Sequence, residues 1–332
     1  NYTTGVANPY LLLEPSRTNA VPYSEYFGAY AVASAGTGSN PIITSNYTIS
    51  PDGDLNAARI QFNRGIGTTG GDTSYITYGL SLGTIDATLS IYLKTNDGTT
   101  KDVTLRLGAS LFDRDVSVTP EWKRFTLSGN TNVDRLQVLL YGSENSQTAD
   151  LSCWGTQVEA GSYATSYIPT YSVSATRAQD VCNKTNASGE INSIEGVFYA
   201  EIAAFNESGP SAGVISLNDG GNTNRVKIEL DAGQIKVRID TTAGQVASLN
   251  YTIAITNYLK IAVKWKTNDY ALWVNGLEGP TDTSGASFVA NTLSKLSFNR
   301  GDGNEFFKGK TKALQVYKEA LTDAELATLT TI

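Results

Sequence analysis

Across most of this chain apolar side chains recur at every second residue, and that spacing limits the fold more than any other feature. Leu89, Ile91 and Leu93 alternate with polar or amphipathic neighbours, as do Val103, Leu105 and Leu107, and then Leu136, Val138 and Leu140. Later the alternation is cleaner: Val226, Ile228 and Leu230; Ile235, Val237 and Ile239; Leu259, Ile261, Val263 and Trp265. Arg225, Lys227, Glu229, Lys236, Arg238, Lys260 and Lys264 sit between them. A period of two places alternate side chains on opposite faces of a strand. Strands with one apolar and one polar face belong to antiparallel sheets, whereas parallel sheets bury both faces. The predicted fold class is all-β, with antiparallel β-sandwich domains.

A length of 332 residues suits two domains, each able to bury its own core. The stretch Cys182–Gly189 lacks apolar periodicity and strands resume at Gly196, so the boundary is placed near residue 185. The predicted domains are 1–184 and 185–332. One short C-terminal helix is expected, because Thr322-Asp323-Ala324-Glu325 forms a capping box ahead of Leu326 and Leu329. No repeat of 20 to 50 residues is visible, which disfavours a solenoid or propeller.

The chain contains no His, which removes the commonest general base, the Ser-His and Cys-His nucleophile pairs, and nearly all zinc catalysis. Its two Cys, Cys153 and Cys182, cannot form a disulfide framework and are expected as buried thiols. A net charge of -7 argues against a nucleic-acid partner, since that affinity comes largely from Lys and Arg on phosphates. No apolar run approaches the roughly 20 residues of a membrane span, so membrane insertion is not expected. The polar start Asn1–Asn8 does not read as a signal peptide, and the lack of any Met reads as a processed protein or a fragment.

Leu11-Leu12-Leu13-Glu14-Pro15-Ser16-Arg17-Thr18-Asn19, followed by Tyr23-Ser24-Glu25, resembles the opening of a module common in bacteriophage tail and head fibre proteins. The same module closes with a tryptophan strand and an arginine turn, matched here by Trp154 to Ser162, Thr165 to Thr170, and Thr176-Arg177. The resemblance implies a jelly roll similar to carbohydrate-binding modules. In the second half, Tyr270 to Gly276 and Phe307 to Leu326 resemble laminin-G-like, concanavalin A-like sandwiches, which also occur in phage fibres. Together these resemblances imply a non-enzymatic virion component on the particle surface. Its partners would be host cell-surface polysaccharide, other virion proteins and further copies of itself in a homo-oligomer such as a trimer. A decoration protein without glycan affinity and, less favoured, a polysaccharide-degrading enzyme are the alternatives.

Sugar recognition needs an aromatic platform together with amide, carboxylate or guanidinium groups. Candidates on wet faces or loops are Tyr75 and Tyr78, after the Gly-rich stretch 65–71, and Tyr141 and Asn145 around Gly142-Ser143-Glu144. Trp122, Trp154, Trp265 and Trp273 lie in strand-like segments where packing is the default. Laminin-G-like relatives place ligand or calcium at sandwich-edge loops, which points to Asn222, Asn224, Arg300 and Asp302. Such Asn, Asp and Gly clusters also simply make tight turns. Similar jelly rolls place a structural Ca2+ against their first and last strands, and the oxygen ligands would be Glu25, Asp150 and Glu159. Asp52 with Asp54 and Asp113 with Asp115 invite a glycosidase reading, but a spacing of two suggests turns. The strand Glu195 to Glu201 is acidic only at its ends, so the three-acid signature of concanavalin-type glycosidases is missing.

Overall fold

A computed structural model describes residues 10–67, 69–108, 112–142, 145–205 and 211–332, without the side chain of residue 112. Ser143, Glu144 and the start Asn1–Asn8 lie outside the described residues. The chain divides into two compact units, Ser16–Ala178 and the remainder. Both are antiparallel, all-β, and carry a core between two sheets.

In the N-terminal unit one sheet has the strand order Lys123–Asn132, Thr84–Thr95, Thr148–Ala160, Ala57–Asn63, Ser39–Thr48. The facing sheet runs Ala31–Ala35, Thr73–Gly79, Arg135–Tyr141, Lys101–Leu107, Phe112–Val118. The alternating triplets at 89–93, 103–107 and 136–140 all enter one core. The strand Thr148–Ala160 changes parity partway along. Leu151 and Cys153 face the core before a register shift at Trp154/Gln157, and Val158 faces it afterwards. Gly155 makes the shift possible with φ +65, where a Cβ would meet Tyr92 at 3.2 Å and Tyr167 at 3.4 Å. Beyond this bulge Gln157 and Glu159 point away from the core, yet both are fully buried beneath the closing segments.

Those closing segments are the two ends that the sequence resemblance singled out, and buried hydrogen bonds join them. The Asn19 side chain donates to the carbonyls of Thr156 (3.2 Å) and Ile168 (2.9 Å) and accepts from the N–H groups of Val21 (3.1 Å) and Val158 (3.2 Å). Glu159 accepts from the Thr165 N–H at 2.8 Å, its hydroxyl at 2.7 Å and Gln157 Nε2 at 2.7 Å, with Arg17 Nε 3.5 Å away.

The C-terminal unit pairs two six-stranded sheets. One runs Leu11–Leu13, Gly309–Tyr317, Gly196–Ala204, Leu259–Trp265, Tyr270–Val274, Leu277–Asp282. The other runs Asn183–Lys184, Lys295–Ser297, Gly213–Asn218, Arg225–Asp231, Gln234–Thr241, Gly244–Thr252. Two assignments to the first domain are thereby corrected. Leu11–Leu13 pairs with Gly309–Thr311 and buries Leu13 in the C-terminal core. Asn183–Lys184 pairs with Leu296–Ser297, and Cys182 packs on the same core. Backbone pairing recruits these short pieces, and it leaves no periodicity to read. Cys153 and Cys182 are both free, the first buried and the second half-buried. Trp154, Trp265 and Trp273 are buried, while Trp122 is half-buried beneath the Lys94 ammonium.

The helix Asp323–Thr330 starts with the expected capping box, in which Glu325 accepts from the Thr322 N–H at 2.8 Å. It buries Leu326 against Val197, Tyr199, Ala262, Ala271 and Trp273 on the outer face of its sheet. Strands beneath it are therefore buried on both sides, as in Tyr270–Val274, where every residue is buried.

Asn19→Ala leaves four buried backbone groups unpaired at about 1–3 kcal/mol each before relaxation. Chemical denaturation should show the N-terminal unit losing at least about 3 kcal/mol. Thr322→Ala should cost about 1 kcal/mol, read as a lower denaturation midpoint of the C-terminal unit alone.

Candidate functional site

The outward face of the sheet Ala31–Ala35 to Phe112–Val118 gathers polar and aromatic groups by parity alone. Inward Leu105 and Leu107 turn Arg106 outward, and inward Val138 and Leu140 turn Leu139 and Tyr141 outward. Tyr75 lies opposite Leu139, and Arg106 lies opposite both Gln137 and Asp113. Tyr75 and Tyr141 are thus diagonal neighbours, roughly 7–8 Å apart by sheet geometry.

Arg106 is the centre of this face. It donates to both oxygens of Asp113 at 2.7 Å, reaches Gln137 Oε1 at 3.4 Å, and lies 5.7 Å from the centroid of the Tyr141 ring. The bidentate pair fixes the guanidinium plane and leaves one flat side to the ring. Arg106, Asp113, Leu139, Tyr141, Thr73 and Gly70 line a hollow of about 530 Å³. One wall is stiffened by Asp72, which accepts from the Thr37 N–H and hydroxyl at 2.8 Å each and from the Thr69 hydroxyl at 2.9 Å. These bonds, led by the Thr37 N–H, hold the Asp72 carboxyl down at about 2.

The structure brings Tyr75, Tyr141 and Asn145 together at this face. Asn145 is buried beside it, accepting from the Tyr141 N–H at 3.0 Å, with its amide oxygen 3.1 Å from the Thr104 hydroxyl oxygen. Tyr78 is not part of it. With Ser74 and Ile76 it points inward, and its ring packs 5.2 Å from Tyr30 and 6.4 Å from Tyr23. Asp113 and Asp115 are not in a turn but on the Phe112–Val118 strand, where Asp113 is clamped by Arg106 and Asp115 accepts from Thr104. Neither offers a free carboxylate pair for glycoside cleavage. Asp52 does sit in a turn, accepting from the Asp54 N–H. Glu195 and Glu201 are ion-paired with Lys266 and Lys312.

In the C-terminal unit the two candidate loops meet, with Asn222 donating to Asp302 at 3.3 Å. Their polar groups are already spent on one another. Arg300 binds Asp302 and Glu305, and Asn224 donates to Asp219 and accepts from the Thr242 N–H. The guanidinium of Arg300 holds the Asp302 carboxyl at about 2. This arrangement is that of a self-satisfied turn pair.

The proposed calcium ligands do not converge. Asp150 and Glu159 lie on one strand, roughly 30 Å apart at the rise of an extended chain. Asp150 is held by Arg59 and Asn96, and Glu159 by the buried network described above. Glu25 lines a separate cleft. Among the described residues no group of three or more His, Cys, Asp or Glu side chains could hold a metal ion. Sequence reasoning missed Arg106 and Gln137, and it weighed Asp113 only as one of a carboxylate pair or a turn residue. The signal for Arg106 was its place between Leu105 and Leu107, which already made it outward.

Residues 202–327 match the family model of the concanavalin A-like lectin/glucanases superfamily, within the C-terminal unit. No curated protein matches the chain. Similar solved structures include the CBM40 of a Ruminococcus gnavus IT-sialidase bound to α2,3-sialyllactose, with 16% identity over 42% of this chain and 84% of that one, TM-score 0.35. Mouse laminin α1 domains LG4-5 give 9% identity over 75% and 88%, TM-score 0.34. A heptameric SAP-like pentraxin from Limulus polyphemus gives 15% over 42% and 71%, TM-score 0.34.

Proposed function

We propose that this protein binds cell-surface polysaccharide without cleaving it, through the outer sheet face of the N-terminal unit around Arg106. The observation that carries this reading is the combination within one open hollow. Tyr141 supplies an aromatic surface, Arg106 and Asp113 supply oriented donors and acceptors, and Leu139 supplies an apolar floor. A pyranose presents an apolar face to a ring and hydroxyls to polar groups, so it can use all three. A sheet is also a rigid support, and rigid placement lowers the entropy cost of binding.

The sequence resemblance to phage fibre modules supplies the context of the proposal. The chain is read as a virion surface component, assembled as an oligomer such as a trimer, that meets host glycan during attachment. Oligomerisation would present several weak sites together and raise avidity without new contacts.

Purified protein screened on arrays of bacterial surface polysaccharides should bind at least one. Arg106→Ala and Tyr141→Ala should each weaken that binding by about tenfold or more, close to 1.4 kcal/mol. Asn224→Ala, in the self-satisfied loop, should leave it unchanged. Release of oligosaccharide from a bound polymer contradicts the non-cleaving reading. Absence of binding by the folded oligomer favours a decoration protein.

A further inference from the structure

The N-terminal unit holds a second cleft, of about 380 Å³, that shares no lining residue with the Arg106 hollow. Tyr23, Tyr26 and Tyr171 wall it, and Glu25 and Asn56 contribute to its lining. Its size falls in the lower part of the range for small-ligand sites, about 300–1,000 Å³. Tyr171 and Tyr26 are 71% and 56% exposed, so core packing does not account for them. Their positions are nonetheless fixed. Tyr23 forms an antiparallel bridge with Tyr171, and its ring meets Tyr26 edge-on at 6.2 Å.

Among the polar residues of the lining, Glu25 carries the one carboxylate. Glu25 accepts from the Tyr167 hydroxyl at 2.9 Å and from Asn56 Nδ2 at 3.1 Å, and it has no cationic partner among the described residues. Burial pushes its carboxyl above the usual carboxylate range; the Tyr167 bond opposes this, and Asp52 adds to it. Asn56 Oδ1 is buried and receives no hydrogen bond. The cleft therefore combines aromatic faces, one carboxylate without a counter-charge and one orphan acceptor.

We propose that this cleft binds a primary ammonium group carried on a small saccharide or alkyl frame. Aromatic faces attract a cation through their quadrupole, and Glu25 neutralises it. An ammonium brings three N–H donors, and the Glu25 carboxylate can accept from it while keeping its bonds from Tyr167 and Asn56. The frame, whether an amino sugar or an ethanolamine-type headgroup, rests on the exposed rings of Tyr26 and Tyr171. The site stands independently of the polysaccharide reading of the sheet face.

The test is a chemical-shift titration of the full chain labelled at tyrosine, with glucosamine, ethanolamine, N-acetylglucosamine and calcium chloride as separate probes. Saturable shifts are expected with an amine, and N-acetylglucosamine should bind at least about tenfold more weakly than glucosamine. Glu25→Gln should weaken amine binding by about tenfold or more, and Tyr171→Ala, at an exposed position, by about fivefold. Tighter binding of glucosamine than ethanolamine assigns the saccharide frame and the reverse assigns the alkyl frame, both within the proposal. It is overturned by no saturable shift with either amine, by equal affinity for N-acetylglucosamine and glucosamine, by unchanged affinity in both variants, or by shifts with calcium chloride alone.

Discussion

The buried amide of Asn19 holds the N-terminal unit closed. Two donors and two acceptors are all that an asparagine side chain offers, and all four are used on backbone groups of three stretches, at Val21, at Thr156 and Val158, and at Ile168. A side chain with so many fixed partners leaves one arrangement of the chain ends open, and its cost when unpaired makes alternatives expensive. Gln157 and Glu159 extend the same network, the first accepting from the Ile168 N–H and the second collecting Thr165. All three are fully buried, so the polar closure is as much a part of the interior as the leucines across the sheet.

That closure covers the outer face of one sheet and leaves a hollow on the outer face of the other. With the ends secured on one side, the strands Thr73–Gly79, Arg135–Tyr141 and Lys101–Leu107 bury one face and leave the other to Arg106, Tyr141 and Tyr75. The C-terminal unit solves the same problem differently. Its helix covers part of one outer face and buries Trp273, and its Asn- and Asp-rich loops are consumed in mutual hydrogen bonds. Two sandwiches of one class thus present unlike surfaces, and the first carries a hollow lined by both aromatic and charged groups.

Alternation made the core legible, because parity decides which residues are buried wherever a strand is regular. It placed Leu105 and Leu107 inside, and with them Arg106 outside. It failed for Tyr78 because a wet-face assignment needs the parity of Ser74 and Ile76, and only one of these is apolar. Leu11–Leu13 was assigned to the wrong unit because partner choice is a long-range backbone matter, here with Gly309–Thr311. The Gly155 bulge was equally silent, since a single inserted residue reverses the pattern without changing composition. Asn145 was singled out for glycan contact, but burial gave its amide to Thr104 and Tyr141 instead.

Hydrogen–deuterium exchange of the intact protein with and without a bound oligosaccharide locates the contact surface without altering any residue. Binding at the Arg106 hollow predicts slower exchange confined to the sheet that carries it, in Thr73–Gly79, Lys101–Leu107, Phe112–Val118 and Arg135–Tyr141. Protection confined to the 218–224 and 299–304 loops of the C-terminal unit, with these strands unchanged, would contradict it.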